Sequence, residues 1–146
     1  MLGPIATLIV GLAVVFIAWQ QWKVSHAKLR LDLFDRRYKV YEATRKFLAG
    51  ILSEATFSDS QLFTFYAGTS DAEFLFDSEV VDYLAQIRKR AIDMRLHQKL
   101  YVPMGVSEEQ RLSHIDKEHE QLLWLTEQIT AMTKTFAPYL GFSNIK

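Results

Sequence analysis

The first 22 residues carry no charged side chain, and this run limits what the chain can be more than any other feature. Its apolar part, Ile5 to Trp22, has 18 residues, of which nine are Leu, Ile, Val or Phe. As a helix it measures about 27 Å, close to the hydrocarbon thickness of about 30 Å. Its apolar side chains favour insertion by roughly 3–5 kcal/mol. The run therefore predicts a transmembrane helix over residues 1–22.

Cations follow the run directly and predict its orientation. Residues 23–46 contain eight Lys or Arg against three Asp or Glu. The positive-inside rule then places residues 23–146 in the cytoplasm and the N-terminus outside. These cations are also placed to contact anionic headgroups, although setting the topology is enough to explain them. Tryptophans and cations favour the interface between lipid and water, so five side chains are predicted to lie there: Trp19, Trp22, Lys23, Lys28 and Arg30.

Two other interpretations of the apolar run stay open. A signal peptide would leave a soluble periplasmic bundle after cleavage, with Ser25-x-Ala27 as the candidate cleavage pattern. Signal peptides begin with basic residues, and none precedes Lys23. A core helix of a soluble protein usually has a polar stripe, and the only side chains that could form one here are Thr7, Gln20 and Gln21.

The rest of the chain has helical periodicity throughout. No Pro or Gly interrupts residues 12–49, so one helix is predicted to leave the membrane and run to about Leu52, with Gly50 as a weak point. Helix-breaking and capping residues bound two further long helices, from Ser78 to before Pro103 and from after Ser107 to before Pro138.

These two helices are predicted to form an antiparallel hairpin. Its turn is centred near Met104, so the numbers of facing residues should sum to about 209. His119 is expected in the core beside the small Ala91. The predicted charge pairs are Lys99–Glu109, Arg95–Asp116 and Arg88–Glu120. The predicted core faces are Val80, Leu84, Ile87, Ala91 and Met94 on one helix, and Leu112, Ile115, His119, Leu122, Leu125, Ile129, Met132 and Phe136 on the other.

The connection between the long helices is rich in aromatic residues. A short helix is predicted over Asp59–Ala67, capped by Ser58 and ended by Gly68. A second helical turn is predicted over Asp71–Phe76, because Ser70-x-x-Glu73 has capping-box spacing. The aromatic side chains form either a small core or a ligand pocket, whose candidate lining is Phe63, Tyr66, Phe74 and Phe76.

These elements define an all-α fold class. The N-terminal transmembrane helix is continuous with a small antiparallel helical bundle of three long helices plus a short helical insert. The predicted domains are a transmembrane anchor over residues 1–22 and a cytoplasmic helical bundle over residues 23–146.

Composition and motifs give no indication of catalysis. The chain has no cysteine, so disulfides, cysteine nucleophiles and thiolate metal sites are excluded. Lys and Arg total 17, as do Asp and Glu, and the run Arg88-Lys89-Arg90 lacks the wider basic surface that nucleic-acid binding needs. Asp116-x-x-His119 resembles only one part of a di-metal site. We therefore expect no enzyme activity, no metal, no cofactor and no nucleic-acid partner.

Three stretches are distinctive when taken together. They are residues 28–44, which begin KLRLDLFDRRY, residues 71–76 with Glu79-Val80, and residues 136–140. They resemble a group of small, uncharacterised bacterial membrane-anchored proteins that open with one hydrophobic span followed by a KLRLDLFDRR-type helix. The resemblance implies a bacterial or phage origin and an inner-membrane location, and it implies no activity and no site residues.

The expected function is that of a non-enzymatic, single-pass inner-membrane protein. Its partners would be the lipid bilayer and another protein, or a second copy of itself, bound as an interaction or scaffolding module. The alternative is a ligand-sensing or regulatory bundle that uses the aromatic insert 57–76 as its pocket. Purification from detergent separates the two, because the first predicts a stoichiometric protein partner and the second a bound small molecule.

Overall fold

The computed structural model describes residues 3–100 and 107–141, and all regular structure within those ranges is helical. This confirms the all-α class. The chain divides into two units, Met1–Asp35 and Arg36–Lys146, and the first of the helices contributes to both. The helices are α1 Gly3–Glu54, α2 Asp59–Gly68, the single turn α3 Ala72–Leu75, α4 Ser78–Leu100 and α5 Glu108–Leu140.

The contact boundary at Arg36 lies beyond residue 22, where the sequence predicts the membrane segment to end. Residues 23–35 group with the N-terminal part of α1 because the packed bundle begins only at Arg36. The predicted boundary at residue 22 is the end of the segment that would lie in a bilayer, and it stays a prediction.

Two of the three predicted capping boxes are present. At α2 the Gln61 amide donates to Ser58 Oγ over 3.1 Å, and the Ser58 amide donates to Gln61 Oε1 over 2.6 Å. At α5 the pair Ser107 and Gln110 makes the same two bonds. These reciprocal bonds satisfy amides that a helix start leaves without a partner, which explains why both starts could be predicted.

The third capping box, at Ser70, is wrong. The Ser70 hydroxyl donates to the carbonyl oxygen of Ala67 over 3.0 Å, at the end of α2. Asp71 is the residue before α3, and its side chain makes no cap hydrogen bond. The end of α2 leaves carbonyl oxygens without helical partners, and the serine satisfies one of these instead of capping the next turn.

The predicted end of the last helix is also wrong, because α5 continues through Pro138 to Leu140. Proline removes only its own amide from the hydrogen-bond pattern. The Gly141 amide donates to the Ala137 carbonyl oxygen over 3.1 Å and closes the last turn. One missing hydrogen bond three residues from the end therefore does not stop the helix.

The core of the second unit lies along α4. The five apolar positions predicted on this helix are all fully buried, so that face is confirmed. They pack with the part of α1 that follows Arg36, with the aromatic connection and with the C-terminal half of α5. The α1 and α5 contributions include Val40, Phe47, Leu48, Ile51, Leu125, Met132 and Phe136.

The N-terminal half of α5 corrects the predicted core. Leu112 and Ile115 are 53 % and 42 % exposed, and His119 is exposed rather than packed on Ala91. Towards its start, α5 instead turns polar residues to α4, among them His114 and Gln121. From periodicity alone, the apolar face was predicted to be buried along the whole of α5. Only the C-terminal half of that helix is buried.

Helices α1 and α2 approach closely where α2 ends. A Cβ atom added at Gly68 would lie 2.7 Å from the Cβ atom of Ala43. Such a distance is far below ordinary van der Waals contact. Gly68 does end the short helix, as predicted, and it also allows the two backbones to pack.

Candidate interaction surface

A shallow groove lies between α2 and α4, and we call it the α2–α4 groove. Its volume is about 220 Å³, and its lining is almost entirely apolar. Phe63 is 73 % exposed, and Tyr66 and Ile92 are each 54 % exposed. Water therefore covers three large apolar side chains on adjoining helices. The lining residues are Asp59, Leu62, Phe63, Tyr66, Arg88 and Ile92.

Arg88 forms one wall of this groove. Its guanidinium carbon lies 5.0 Å from the centre of the Tyr66 ring, within the range of a cation–π contact. Its Nε atom donates to the Leu84 carbonyl oxygen over 3.3 Å, one turn earlier in α4. The side chain is thus held along α4 and supports the tyrosine ring.

Asp59 closes the other end of the groove and binds two cations of α4. Its carboxylate lies 2.8 Å from Arg95 Nε and 3.6 Å from Lys99 Nζ. The hydrogen bond from Arg95 lowers the pKa of Asp59, and the positive charges of both cations act in the same direction. This ion-pair cluster joins the first turn of α2 to the end of α4.

The Asp59 cluster replaces two of the predicted hairpin charge pairs. Arg95 and Lys99 bind Asp59 rather than Asp116 and Glu109, which are both exposed. The predicted pairs joined α4 only to α5, whereas α2 brings Asp59 to the same cations.

The third predicted pair is also replaced. Glu120 lies 3.8 Å from Arg90 rather than pairing with Arg88, which contacts Tyr66. Arg90 also donates to Gln121 Oε1 over 3.0 Å. The hairpin is nevertheless antiparallel, and its contacts Tyr83–Gln128, Arg90–Gln121 and His97–His114 each have residue numbers that sum to 211.

A histidine pair joins α4 and α5, and the sequence analysis did not identify it. The Nδ1 atoms of His97 and His114 lie 3.1 Å apart and both side chains are half-buried. Beside them, Gln98 Nε2 donates to Glu118 Oε1 over 2.7 Å. Only the observed register of 211 brings the two imidazoles together. Within residues 3–100 and 107–141, no three His, Asp or Glu side chains converge as a metal site.

The predicted aromatic pocket does not form as one site. Phe63 and Tyr66 line the α2–α4 groove, whereas Phe74 is 86 % exposed on α3. Phe76 is buried, and its ring centre lies 5.3 Å from those of both Phe136 and Tyr139. The four residues were grouped by their proximity in sequence, but Phe63 and Tyr66 on α2, Phe74 on α3 and Phe76 directly after α3 lie in different surroundings.

A second, wider groove lies between α1 and α2, and we call it the α1–α2 groove. It has a volume of about 440 Å³. Its floor contains the stacked rings of Phe47 and Phe65, whose centres lie 4.6 Å apart. Polar residues surround this floor, among them Lys39, Glu42 and Gln61. The aromatic insert thus contributes to two grooves rather than to one pocket.

Burial raises the pKa of two tyrosines, Tyr83 on α4 and Tyr139 at the C-terminal end of α5. Tyr83 is half-buried, and its hydroxyl donates to the Gln128 carbonyl oxygen over 3.1 Å. Burial also raises the pKa of Tyr139, and the hydrogen bond from its hydroxyl to Asp77 Oδ2 adds to that rise. The two hydroxyls donate hydrogen bonds that join α4 to α5 and α5 to the residue before α4.

The first unit is an exposed helix, which contains the predicted membrane-interface residues. Lys23 Nζ lies 3.9 Å from the centre of the Trp19 ring. Trp22 packs edge-on against His26, with ring centres 4.4 Å apart. These contacts fix two tryptophans beside a cation on one helix. Their position at an interface stays a prediction, and it extends to the exposed residues Lys28 and Arg30.

One helix within the described ranges is long and apolar enough to cross a membrane. It is α1, in which an 18-residue window near the N-terminus has a mean hydropathy of 1.4 and no buried residue. By length and composition alone, a signal sequence or a helix of a soluble protein passes the same test.

Comparison of the chain with protein-family models, curated proteins and solved structures finds no match.

Proposed function

We propose that the chain is a non-enzymatic, single-pass membrane protein whose cytoplasmic helical bundle binds another protein. The observation that carries this proposal is the apolar, uncovered start of α1. Large side chains such as Leu8, Val15 and Ile17 are more than half exposed there. Burying one such side chain is favourable by about 1.5–3 kcal/mol, so a bilayer that covers this surface stabilises the chain substantially.

The lack of burial favours a membrane over a soluble core. A core helix is covered by its own chain, and the 18-residue window of α1 has no buried residue. The cationic residues 23–46 support a cytoplasmic bundle and an external N-terminus through the positive-inside rule. The resemblance described above supports a bacterial inner membrane. Cleavage as a signal peptide, which would release a periplasmic bundle, is the competing outcome.

The α2–α4 groove supports protein binding by the bundle. Interface cores are enriched in aromatic residues and surrounded by charged groups, and this groove has Phe63 and Tyr66 between Asp59 and Arg88. Large exposed aromatic side chains that share one surface commonly mark contact sites. The groove is small for a drug-sized ligand, since such sites usually enclose roughly 300–1,000 Å³.

The α1–α2 groove supports the second candidate, a ligand-sensing bundle. Its volume of about 440 Å³ is within the range of small-molecule sites. An aromatic floor with a polar rim suits a flat, polar-edged molecule. A small molecule that co-purifies in equal amount with the protein, and is lost in Phe65→Ala, would favour this candidate.

Membrane insertion and orientation can be tested together. In the bacterial host, the full chain should stay in the membrane fraction after washing with carbonate. A C-terminal reporter that works only in the cytoplasm should be active, and a periplasmic reporter should be silent. The opposite reporter pattern, or a mature N-terminus near Lys28, would establish signal cleavage instead.

The protein-binding role is tested by paired substitutions. Cross-linking in membranes should give a discrete partner adduct that Phe63→Ser reduces strongly. Phe74→Ser is the matched control, because Phe74 is 86 % exposed outside the α2–α4 groove. Equal loss in both variants, or no loss in either, would contradict the assignment of this groove.

A further inference from the structure

The exposed part of α1 contains a stripe of residues whose spacing alternates between three and four. This spacing gives a mean period of 3.5, the repeat of a left-handed coiled coil. The stripe extends over three and a half heptads, and after Trp22 its residues Val24, Ala27, Leu31 and Phe34 keep this spacing among polar neighbours. We call it the α1 stripe, and its residues are Val10, Ala13, Ile17, Gln20, Val24, Ala27, Leu31 and Phe34.

We propose that the α1 stripe binds the same stripe of a second copy of this chain, as a parallel dimer. The proposal deepens the proposed function and rests on its membrane insertion, because copies inserted with one orientation lie parallel. In heptad terms Val10, Ile17, Val24 and Leu31 occupy position a, and the other four stripe residues occupy position d. Residues 10–34 give a contact about 37 Å long.

The composition of the stripe fits close packing between two helices. Its β-branched residues Val10, Ile17 and Val24 are all at position a, where two-stranded parallel coiled coils also have such residues. Its small residues Ala13 and Ala27 are at position d, where they let backbones approach within a bilayer or beside it. Val10, Ile17, Val24 and Leu31 are all more than half exposed on the single chain.

Gln20 is the only polar residue in the stripe. It is exposed on α1 and lies between Trp19 and Trp22, at the predicted membrane interface. On a two-fold axis, Gln20 of each copy faces Gln20 of the other, so each amide can donate to and accept from its counterpart. This pairing forms only when the two helices are in register. A self-matching residue of this kind favours a second copy over an unrelated helix.

The flanking charges give one opposite-charge and one like-charge combination below the span. In a parallel dimer, position g of one helix faces position e of the next heptad in the other helix. Arg30 is at g and Asp35 is at e, so two opposite-charge pairs form by symmetry. One heptad earlier, Lys23 at position g of one helix faces Lys28 at position e of the other helix, and these like charges repel each other. Lys23 Nζ lies 3.9 Å from the Trp19 ring centre of its own helix.

Two other leucines provide a matched control. Leu29 and Leu33 occupy heptad positions f and c, on the side away from the stripe. They are 65 % and 39 % exposed. Their side chains are the same as that of Leu31, but they face away from the stripe. A non-specific apolar association would use them as readily as the stripe.

The absence of cysteine from the sequence allows a direct test. Single-cysteine variants at Val24, Ala27 and Leu31 are compared with variants at Leu29 and Leu33 in membrane vesicles. Two differently tagged copies are expressed together, and mild oxidation forms disulfides. The first three variants should give a dimer carrying both tags, with a yield several-fold above that of the other two.

Three results would overturn the proposal. The first is a yield with no period of three and four, the second is a higher yield at Leu29 and Leu33, and the third is the lack of any adduct that carries both tags. The mass of the cysteine-free chain in mild detergent is the second measurement. A protein mass of 16.9 kDa, rather than twice that value, would also overturn the proposal. The variants are scored only within the membrane fraction, so failure to insert is distinguished from failure to dimerise.

Discussion

The Nε atom of Arg37 donates a hydrogen bond of 2.9 Å to the main-chain carbonyl oxygen of Leu75, 38 positions later in the chain. Leu75 is the last residue of α3, where a helix leaves its carbonyl oxygens without helical partners. The guanidinium carbon also lies 5.8 Å from the Phe76 ring centre and 5.6 Å from that of Tyr139. One side chain therefore joins α1 to the end of α3 and to the end of α5.

Replacing this arginine should destabilise the bundle. Arg37→Met keeps the apolar stem but removes a charged hydrogen bond worth about 1.5–3 kcal/mol. We expect a loss of about 1–3 kcal/mol in the free energy of unfolding, measured by urea denaturation of the full chain in detergent. Arg36→Met is the control, because Arg36 is exposed, and it should change the stability by less than about 0.5 kcal/mol.

Two glycines should respond to alanine with opposite signs. Gly68→Ala places a Cβ atom 2.7 Å from Ala43, so the helices must separate at a cost of about 1–3 kcal/mol. In Gly50→Ala the nearest atom is 3.7 Å away on the Gln61 side chain, and alanine should stabilise the interior of α1 by up to about 1 kcal/mol. Thermal denaturation of both variants checks the prediction, and the same sign for both would contradict the packing described here.

Ala55 ends α1 in a conformation that glycine adopts more easily. Its φ angle is 53°, and its amide donates to the Ile51 carbonyl oxygen over 2.8 Å. A left-handed residue other than glycine costs roughly 1–2 kcal/mol. Ala55→Gly should therefore raise the unfolding free energy by about 1 kcal/mol. Glu54→Gly, one residue earlier and still helical, should lower it, and a stabilising effect there would refute the assignment.

The limits of prediction from sequence differ between helices for a physical reason. On α4, Val80 through Met94 repeat on a face that is buried along its length, so periodicity identifies the core correctly. On α5 the same periodicity continues to Leu112 and Ile115, but these side chains remain exposed. Periodicity records which side of a helix is apolar, and it does not record where a neighbouring helix stops covering that side.

Local polar contacts can be predicted from the sequence, whereas long-range polar contacts depend on how the helices pack. Ser58 and Ser107 accept hydrogen bonds from amides three residues later in the chain, so both caps can be predicted from the sequence. Asp59 binds Arg95, 36 positions later, and this pairing depends on how α2 packs beside α4. The α2–α4 groove could not be predicted for this reason, although Phe63 and Tyr66 were identified as candidate residues.

The Asp59 cluster should make stability depend on pH in the acidic range. Its folded-state pKa is lowered from 3.8, so the contribution is complete above that value and is lost as pH falls through the folded-state pKa. Asp59→Asn should therefore be less stable than the parent at neutral pH. The difference should disappear in strong acid, where the parent carboxyl is also protonated. Unfolding midpoints of the two proteins across this range provide the measurement, and a constant difference would contradict the ion-pair explanation.

The contact between His97 and His114 has a consequence for the order in which the hairpin opens. Near Leu84 and Leu125 the two helices share fully buried apolar side chains, whereas the contacts around the histidines are half-buried and polar. Opening the polar end exposes little apolar surface, so it costs less free energy than opening the other end. Backbone amides around His97 and His114 should therefore exchange hydrogen with solvent through local fraying, while those around Leu84 and Leu125 exchange only when the whole bundle unfolds.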